Sequence, residues 1–187
     1  MASNYQAVEH YRGDAAALTR QFLTLLDESA ALQRRAGVDR VTFRWQWDGD
    51  IAHDAHAQAI ARAHEARPDI LGWLYTRRFD LVHRLRIGDE PPENLAVFLS
   101  VDRWNATKAR KVADRYPWVR LAFCGESWNE CREIARGMEV ARGLRCPELV
   151  GRIPLVTDDG RGACTACSYC LPTTRGHVAF STTKGKA

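Results

Sequence analysis

Residues 95–101, Leu-Ala-Val-Phe-Leu-Ser-Val, are apolar almost without a break. A strand of that composition needs cover on both faces, the condition of a parallel sheet flanked by helices. The flanking sequence supplies the cover. Residues 14–36 carry Leu18, Phe22, Leu25, Leu26 and Leu32 at helical spacing, and Gly37 stops the pattern. Residues 41–45 and 70–75 read as strands. Residues 51–66 read as an alanine-rich helix ended by Pro68, and residues 79–85 as a short helix. Residues 107–115 read as a helix and residues 119–124 as a fourth strand. Ser127-Trp128-Asn129-Glu130 then has the form of a capping box. This alternation predicts an α/β fold, with (β/α) repeats forming a parallel sheet or partial barrel. It stops near residue 145, after which only residues 177–180 read as a last short strand.

The irregular end holds the sharpest chemistry. Cys164, Cys167 and Cys170 stand in the run Cys-Thr-Ala-Cys-Ser-Tyr-Cys, and Cys146 lies upstream, followed by Pro147. Three thiols at this spacing cannot all pair with one another as disulfides, but one small loop can turn them all toward a metal. A C-x2-C-x2-C run with one remote cysteine is the ligand count of a [4Fe–4S] cluster. Four thiolates also suit tetrahedral zinc, although structural zinc sites usually take two knuckles, and a second knuckle is missing here. The expected metal ligands are Cys146, Cys164, Cys167 and Cys170. The expected cofactor is an iron–sulfur cluster, with zinc as the alternative. Gly160 and Gly162 permit the turns such a loop needs. Thr165, Ser168, Pro172, Thr173 and Thr174 make it a polar loop rather than a core strand. His177 can replace one thiolate in a zinc site. Cys124 and Cys131 read as structural. The expected organisation is therefore a (β/α) core over residues 1–144 and a cysteine-rich metal-binding tail over residues 145–187, packed on the core.

Composition narrows the setting. The 187 residues are enough for one domain with a sizeable core, and 45% hydrophobic with 27% charged is ordinary for a globular protein. No apolar run approaches the roughly 20 residues of a membrane span. The N-terminal residues lack the pattern of a secretory signal. A cytoplasmic, reducing compartment follows as the expectation, and there thiols bind metal rather than pair. The net charge of +4 permits an anionic ligand or nucleic acid as partner without demanding either.

Polar residues gather where each strand should end, and in parallel α/β folds ligands bind at that carboxyl edge. Arg44, Trp47, Tyr75, Arg77, Ser100 and Arg103 are the expected lining of a ligand cleft. Asp48, Asp50, Asp102 and Glu126 are the candidate acid–base or cation-binding groups. The competing reading is that Asp50 or Asp54 caps the helix that follows. Trp45, Trp73 and Trp104 also fall near strand ends and can stack a flat ligand there. His53 and His56 are expected in solvent, and His64 and His83 at the surface. No P-loop, dinucleotide fingerprint, zinc-protease motif or nucleophile elbow occurs. The sequence leaves open whether the protein is an enzyme.

Several of these pieces resemble a family of phage proteins known only as gene product 88. They are residues 43–50 (Phe-Arg-Trp-Gln-Trp-Asp-Gly-Asp), Leu74-Tyr75-Thr76-Arg77, residues 97–102, Cys146-Pro147 with the three-cysteine run, and Val178-Ala179-Phe180. The resemblance covers roughly Tyr5 to Phe180. It implies a (β/α) arrangement similar to a partial radical-SAM barrel, a metal centre, and the cytoplasm of the host cell as location. The family carries His where Gln46 stands and Ser where Asp48 or its neighbour falls. Its members also begin with a further cysteine-rich segment, so the resemblance implies a truncation here or a partner that supplies the missing part. Radical-SAM enzymes place their cysteines after the first strand. The C-terminal run here, with a candidate fourth ligand, reads instead as a closed cluster.

Overall fold

The computed structural model describes residues 4–46, 49–158 and 162–182. It has the expected α/β fold. Six strands, β1 (Thr42–Arg44), β2 (Leu71–Thr76), β3 (Leu95–Val101), β4 (Arg120–Gly125), β5 (Leu144–Arg145) and β6 (Val178–Ser181), follow the sheet order β1-β2-β3-β4-β6-β5. The pairs β1/β2, β3/β4, β4/β6 and β5/β6 are parallel. The helices are α1 (Asn4–His10), α2 (Ala15–Arg35), α3 (Asp54–Ala66), α4 (Ala106–Arg115), α5 (Trp128–Gly137) and α6 (Ala163–Cys167). No helix among the described residues is long and apolar enough to cross a membrane. The chain forms two compact units, Met1–Val97 and Phe98–Ala187, with the boundary inside β3.

In the first unit, α2 begins where the Asp14 carboxylate accepts the Ala17 N–H at 2.8 Å. It ends at Gly37, which takes a positive φ of 76°. Its apolar stripe, Leu18, Phe22 and Leu26, is buried. Helix α3 buries Ala55, Ala57, Ala59, Ala61 and Ala63 along with Ile60. Side chains that small let backbones approach closely. The segment expected as a short helix at 79–85 is only a 3-10 turn, Val82–Arg84.

Three histidines overturn the surface reading. His64 is fully buried, and His53 and His56 are 7% exposed. The Trp45 indole N–H donates to His64 Nε2 at 2.7 Å, and Asn94 Nδ2 stands 3.1 Å from the opposite ring nitrogen, Nδ1. Asn94 Nδ2 ties the same corner together, donating to the carbonyls of Arg67 and Ile70, each at 2.8 Å. The helical period of 51–66 was legible, but polar residues at Ala-rich positions gave no sign of which face is buried.

Burial pushes His64 and His56 down to about 4, and neighbouring His53 adds to the shift of His56. Both rings are therefore neutral in the native state and charge more readily when unfolded. The unfolded chain then binds more protons, so stability is full above pH 6.5 and falls between about 6.5 and 4. Each ring contributes on the order of 3 kcal/mol over that window. Urea midpoints should fall steeply from pH 7 to pH 4.5, and His64→Gln should flatten that slope. A flat profile would contradict neutral burial.

The second unit is built on β4, which buries Leu121, Ala122 and Phe123. Helix α5 opens with Ser127 Oγ accepting the Glu130 N–H at 3.2 Å. Glu130 closes the turn one residue earlier than a capping box does, accepting the Glu126 N–H at 2.7 Å. The last strand appears as expected and lies beside β4, with Ala122 opposite Val178 and Gly125 opposite Ser181. The stretch after residue 145 holds one helical turn, α6, that sequence reasoning left as loop.

Candidate functional site

The thiol segment is fixed to the second unit at both ends. Cys146 follows β5, and its N–H donates to Ala179 of β6 at 3.0 Å. The chain then turns through Pro147, whose carbonyl accepts from Arg152 N at 2.9 Å. It returns through an antiparallel bridge between Val156 and Gly162, beside which Ala163 N donates to Leu155 O at 2.9 Å. Gly162 thus sits at the return as expected, while Gly160 lies outside the described residues. Helix α6 places Cys164 and Cys167 three apart, on one face of a single turn. Ser168 ends that turn in the left-handed region, φ 60°, and its N–H reaches Cys164 O at 2.8 Å. Cys170 follows in the next turn.

All four cysteines are half-buried. Burial pushes the Cys146 thiol up, and Cys167 stands close enough to add to that shift. Cys164 and Cys167 share one face of α6. Among the described residues, no group of three or more His, Cys, Asp or Glu is arranged to hold a metal ion. The donor chemistry nevertheless suits a thiophilic metal, since four thiols lie on tethered segments of one unit. Cys131 differs. It is buried, donates toward Phe180 O at 3.2 Å, and is pushed up to about 11, chiefly by desolvation, as suits an inert core thiol. Cys124 is half-buried in β4.

Sequence reasoning missed the residue that holds this segment. Arg120, at the start of β4, is 8% exposed and donates to three carbonyls of the tail. Nε reaches Gly176 O at 2.6 Å, Nη1 reaches Leu171 O at 3.1 Å and Nη2 reaches Tyr169 O at 2.8 Å. Its guanidinium lies 4.2 Å from the centroid of the Phe98 ring. The carbonyls therefore flank Cys170 on both sides. Gly176, at φ 133°, leaves room for the Tyr169 hydroxyl, which an added Cβ would meet at 2.7 Å. His177 accepts the Leu121 N–H on Nδ1 at 3.1 Å, so only its other nitrogen is left for a metal. The available signal was an Arg opening an apolar strand, where a charge has to find partners.

The candidates at strand ends fall in both units. In the first, Asp50 is held by three donors: Thr76 Oγ1 at 2.5 Å, Arg77 N at 2.7 Å and its neighbour Ile51 N at 2.7 Å. It ties the end of β2, while the cap of α3 is His53, not Asp50 or Asp54. The Arg44 guanidinium lies 5.2 Å from the Tyr75 ring centroid, and the Arg77 side chain is exposed. Trp47 and Asp48 lie outside the described residues. Trp45 and Trp73 are buried, which removes them from any open cleft. Gln46, at φ 44°, sets its amide 3.3 Å from His56 Nε2.

In the second unit, Asp102 Oδ1 accepts the N–H of Trp104 at 2.9 Å and of Asn105 at 3.1 Å, an Asx turn that starts α4. Asn105 Nδ2 donates to Ser100 O at 3.1 Å. Arg103 lies 3.7 Å from Glu130 and borders a cavity of about 820 Å³ between α4 and α5. Trp104, 82% exposed, carries Arg103 over its ring. The Glu126 carbonyl accepts Ser181 Oγ at 3.1 Å, and its side chain is exposed.

Comparison with known proteins agrees with the sequence pattern. The model of the family described as Gene product 88 matches residues 2–173. The Gene 88 protein of Mycobacterium phage D29 is 30% identical over 143 residues, 76% of this chain and 55% of that protein. The chain thus spans about half the length of the curated relative it matches. No solved structure matches.

Proposed function

Because the chain belongs to the gene product 88 family, we propose that it is a phage-type metalloprotein whose C-terminal thiols bind an iron–sulfur cluster in the cytoplasm of the host. Cys146, Cys164, Cys167 and Cys170 are the ligands. The observation that carries the reading is the tethering of all four thiols to one unit, with Cys164 and Cys167 on one face of α6. A cluster there supplies a redox or structural centre. The chain's own part is to hold the donors, through Arg120 and through the backbone bond from Cys146 to β6. Binding would draw the thiolates together and so couple to the order of the tail. The ends of β3 and β4, with Ser100 and Arg103, offer a ligand face in the same unit. Zinc is the second reading, favoured by α6, which presents Cys164 and Cys167 as one C-x2-C knuckle. In that reading the protein is a zinc-stabilised nucleic-acid-binding or interaction module.

Cys167→Ser tests the ligand set. It should abolish metal retention and raise protease sensitivity beyond residue 145, while the first unit keeps its far-UV signal and its unfolding midpoint. Cys131→Ser should leave metal content unchanged. Full metal content in Cys167→Ser would sink the assignment.

A further inference from the structure

A second site lies beside the thiol tail. Helix α5 and the β5–β6 edge of the sheet enclose a cavity of about 510 Å³. Four arginines line it: Arg132 from α5, Arg142 and Arg145 at and before β5, and Arg152 from the turn after Pro147. No Asp or Glu is among its lining residues. Arg132 bonds Asn129, and Arg145 lies 5.3 Å over the Trp128 ring. Neither contact neutralises charge, and among the described residues no ion pair holds any of the four. Elsewhere in the chain exposed arginines are commonly matched: Arg34 with Asp69, Arg78 with Asp80, Arg84 with Asp54 and Arg110 with Asp114. Four like charges converging on one concavity repel one another, and a bound anion relieves that repulsion.

A second observation points the same way. Trp128, 8% exposed, lines the cavity, and its indole N–H is buried with no hydrogen-bond partner among the described residues. A buried donor left unmatched costs free energy until an acceptor arrives. Tyr169, Leu144 and Val150 supply apolar surface. The volume exceeds what a lone phosphate fills and falls in the range of small-ligand sites.

We propose that this cavity binds a small phosphate-bearing ligand of nucleotide size, carrying at least two phosphate charges. Guanidinium groups match phosphate oxygens in paired hydrogen bonds. The cavity wall includes Cys131 and Tyr169, and ligand binding there does not rest on the metal reading.

The test is calorimetric titration of the full chain with ADP, with inorganic pyrophosphate and with a dT15 oligonucleotide, at low and moderate salt. Saturable binding of ADP or pyrophosphate is expected, weakening as salt rises. Arg142→Glu and Arg145→Glu, both at exposed positions, should each weaken it at least tenfold. Lys108→Glu, on the exposed side of α4, should leave it unchanged. Equal loss from Lys108→Glu would mean unspecific charge attraction and overturn the site, as would no saturable binding by any probe. Binding of dT15 alone, with ADP and pyrophosphate inert, would overturn the small-ligand assignment. Unfolding curves of the variants separate loss of binding from loss of fold.

Discussion

Arg120→Leu is expected to lower the stability of the second unit by about 4 kcal/mol and to free the thiol tail. Hydrogen bonds from a charged donor contribute roughly 1.5–3 kcal/mol each, and Arg120 makes three, to Tyr169, Leu171 and Gly176. Leucine keeps the contact with Phe98 but leaves three carbonyls without their donor. The loss is local in origin, because all three acceptors lie within one loop around Cys170. Arg120→Lys should fall between, since an ammonium cannot match three carbonyls that a planar fork reaches together. Urea unfolding and limited proteolysis read the effect, with new cleavage expected between residues 145 and 182. A variant as stable and as protease-resistant as the parent would show that the guanidinium does not hold the tail.

Gly72→Ala is expected to disrupt the first unit by about 3 kcal/mol or more. A Cβ at this position of β2 would lie 2.2 Å from Cε1 and Nε2 of the His64 ring. The ring cannot swing away cheaply, because it is fully buried and Nε2 accepts the Trp45 indole N–H. The substitution adds overpacking, on the order of 1–3 kcal/mol, to the exposure of a buried donor left unmatched. Shrinking the partner should restore part of the loss. Gly72→Ala with His64→Ala should therefore be more stable than the sum of the two single changes predicts, a coupling read from a double-mutant cycle. Strict additivity would mean the two positions do not clash.

The two sites show what sequence reading reaches. The β3 strand was legible to the residue, because an apolar run without period admits few other structures. The start of α2 at Asp14 and its stop at Gly37 were legible from cap chemistry alone. The tail was less so. Its cysteines gave ligand types and spacing, but α6 is one turn long, too short for periodicity to declare. Arg120 looked like any strand-edge charge, because its three acceptors are backbone carbonyls some fifty residues away. The histidines of α3 were misread for a related reason. A buried neutral ring and a solvated one have the same letter, and the partners that decide between them, Trp45 and Asn94, come from other segments. Asp50 likewise was weighed as a helix cap or an acid–base group, and its donors on Thr76 and Arg77 became visible only once β2 was placed. The arginines of the α5 cavity are spread from 132 to 152, and folding alone brings them to one wall.

A metal centre on the four C-terminal thiols has a direct chemical readout in the metal the purified protein retains. Elemental analysis of protein purified anaerobically, after expression with iron and sulfide supplied, tests it most directly. A brown protein with about four irons per chain is expected, the stoichiometry of one cubane. One zinc per chain would move the assignment to the second reading. A colourless protein that retains no metal under those conditions would contradict a metal centre there.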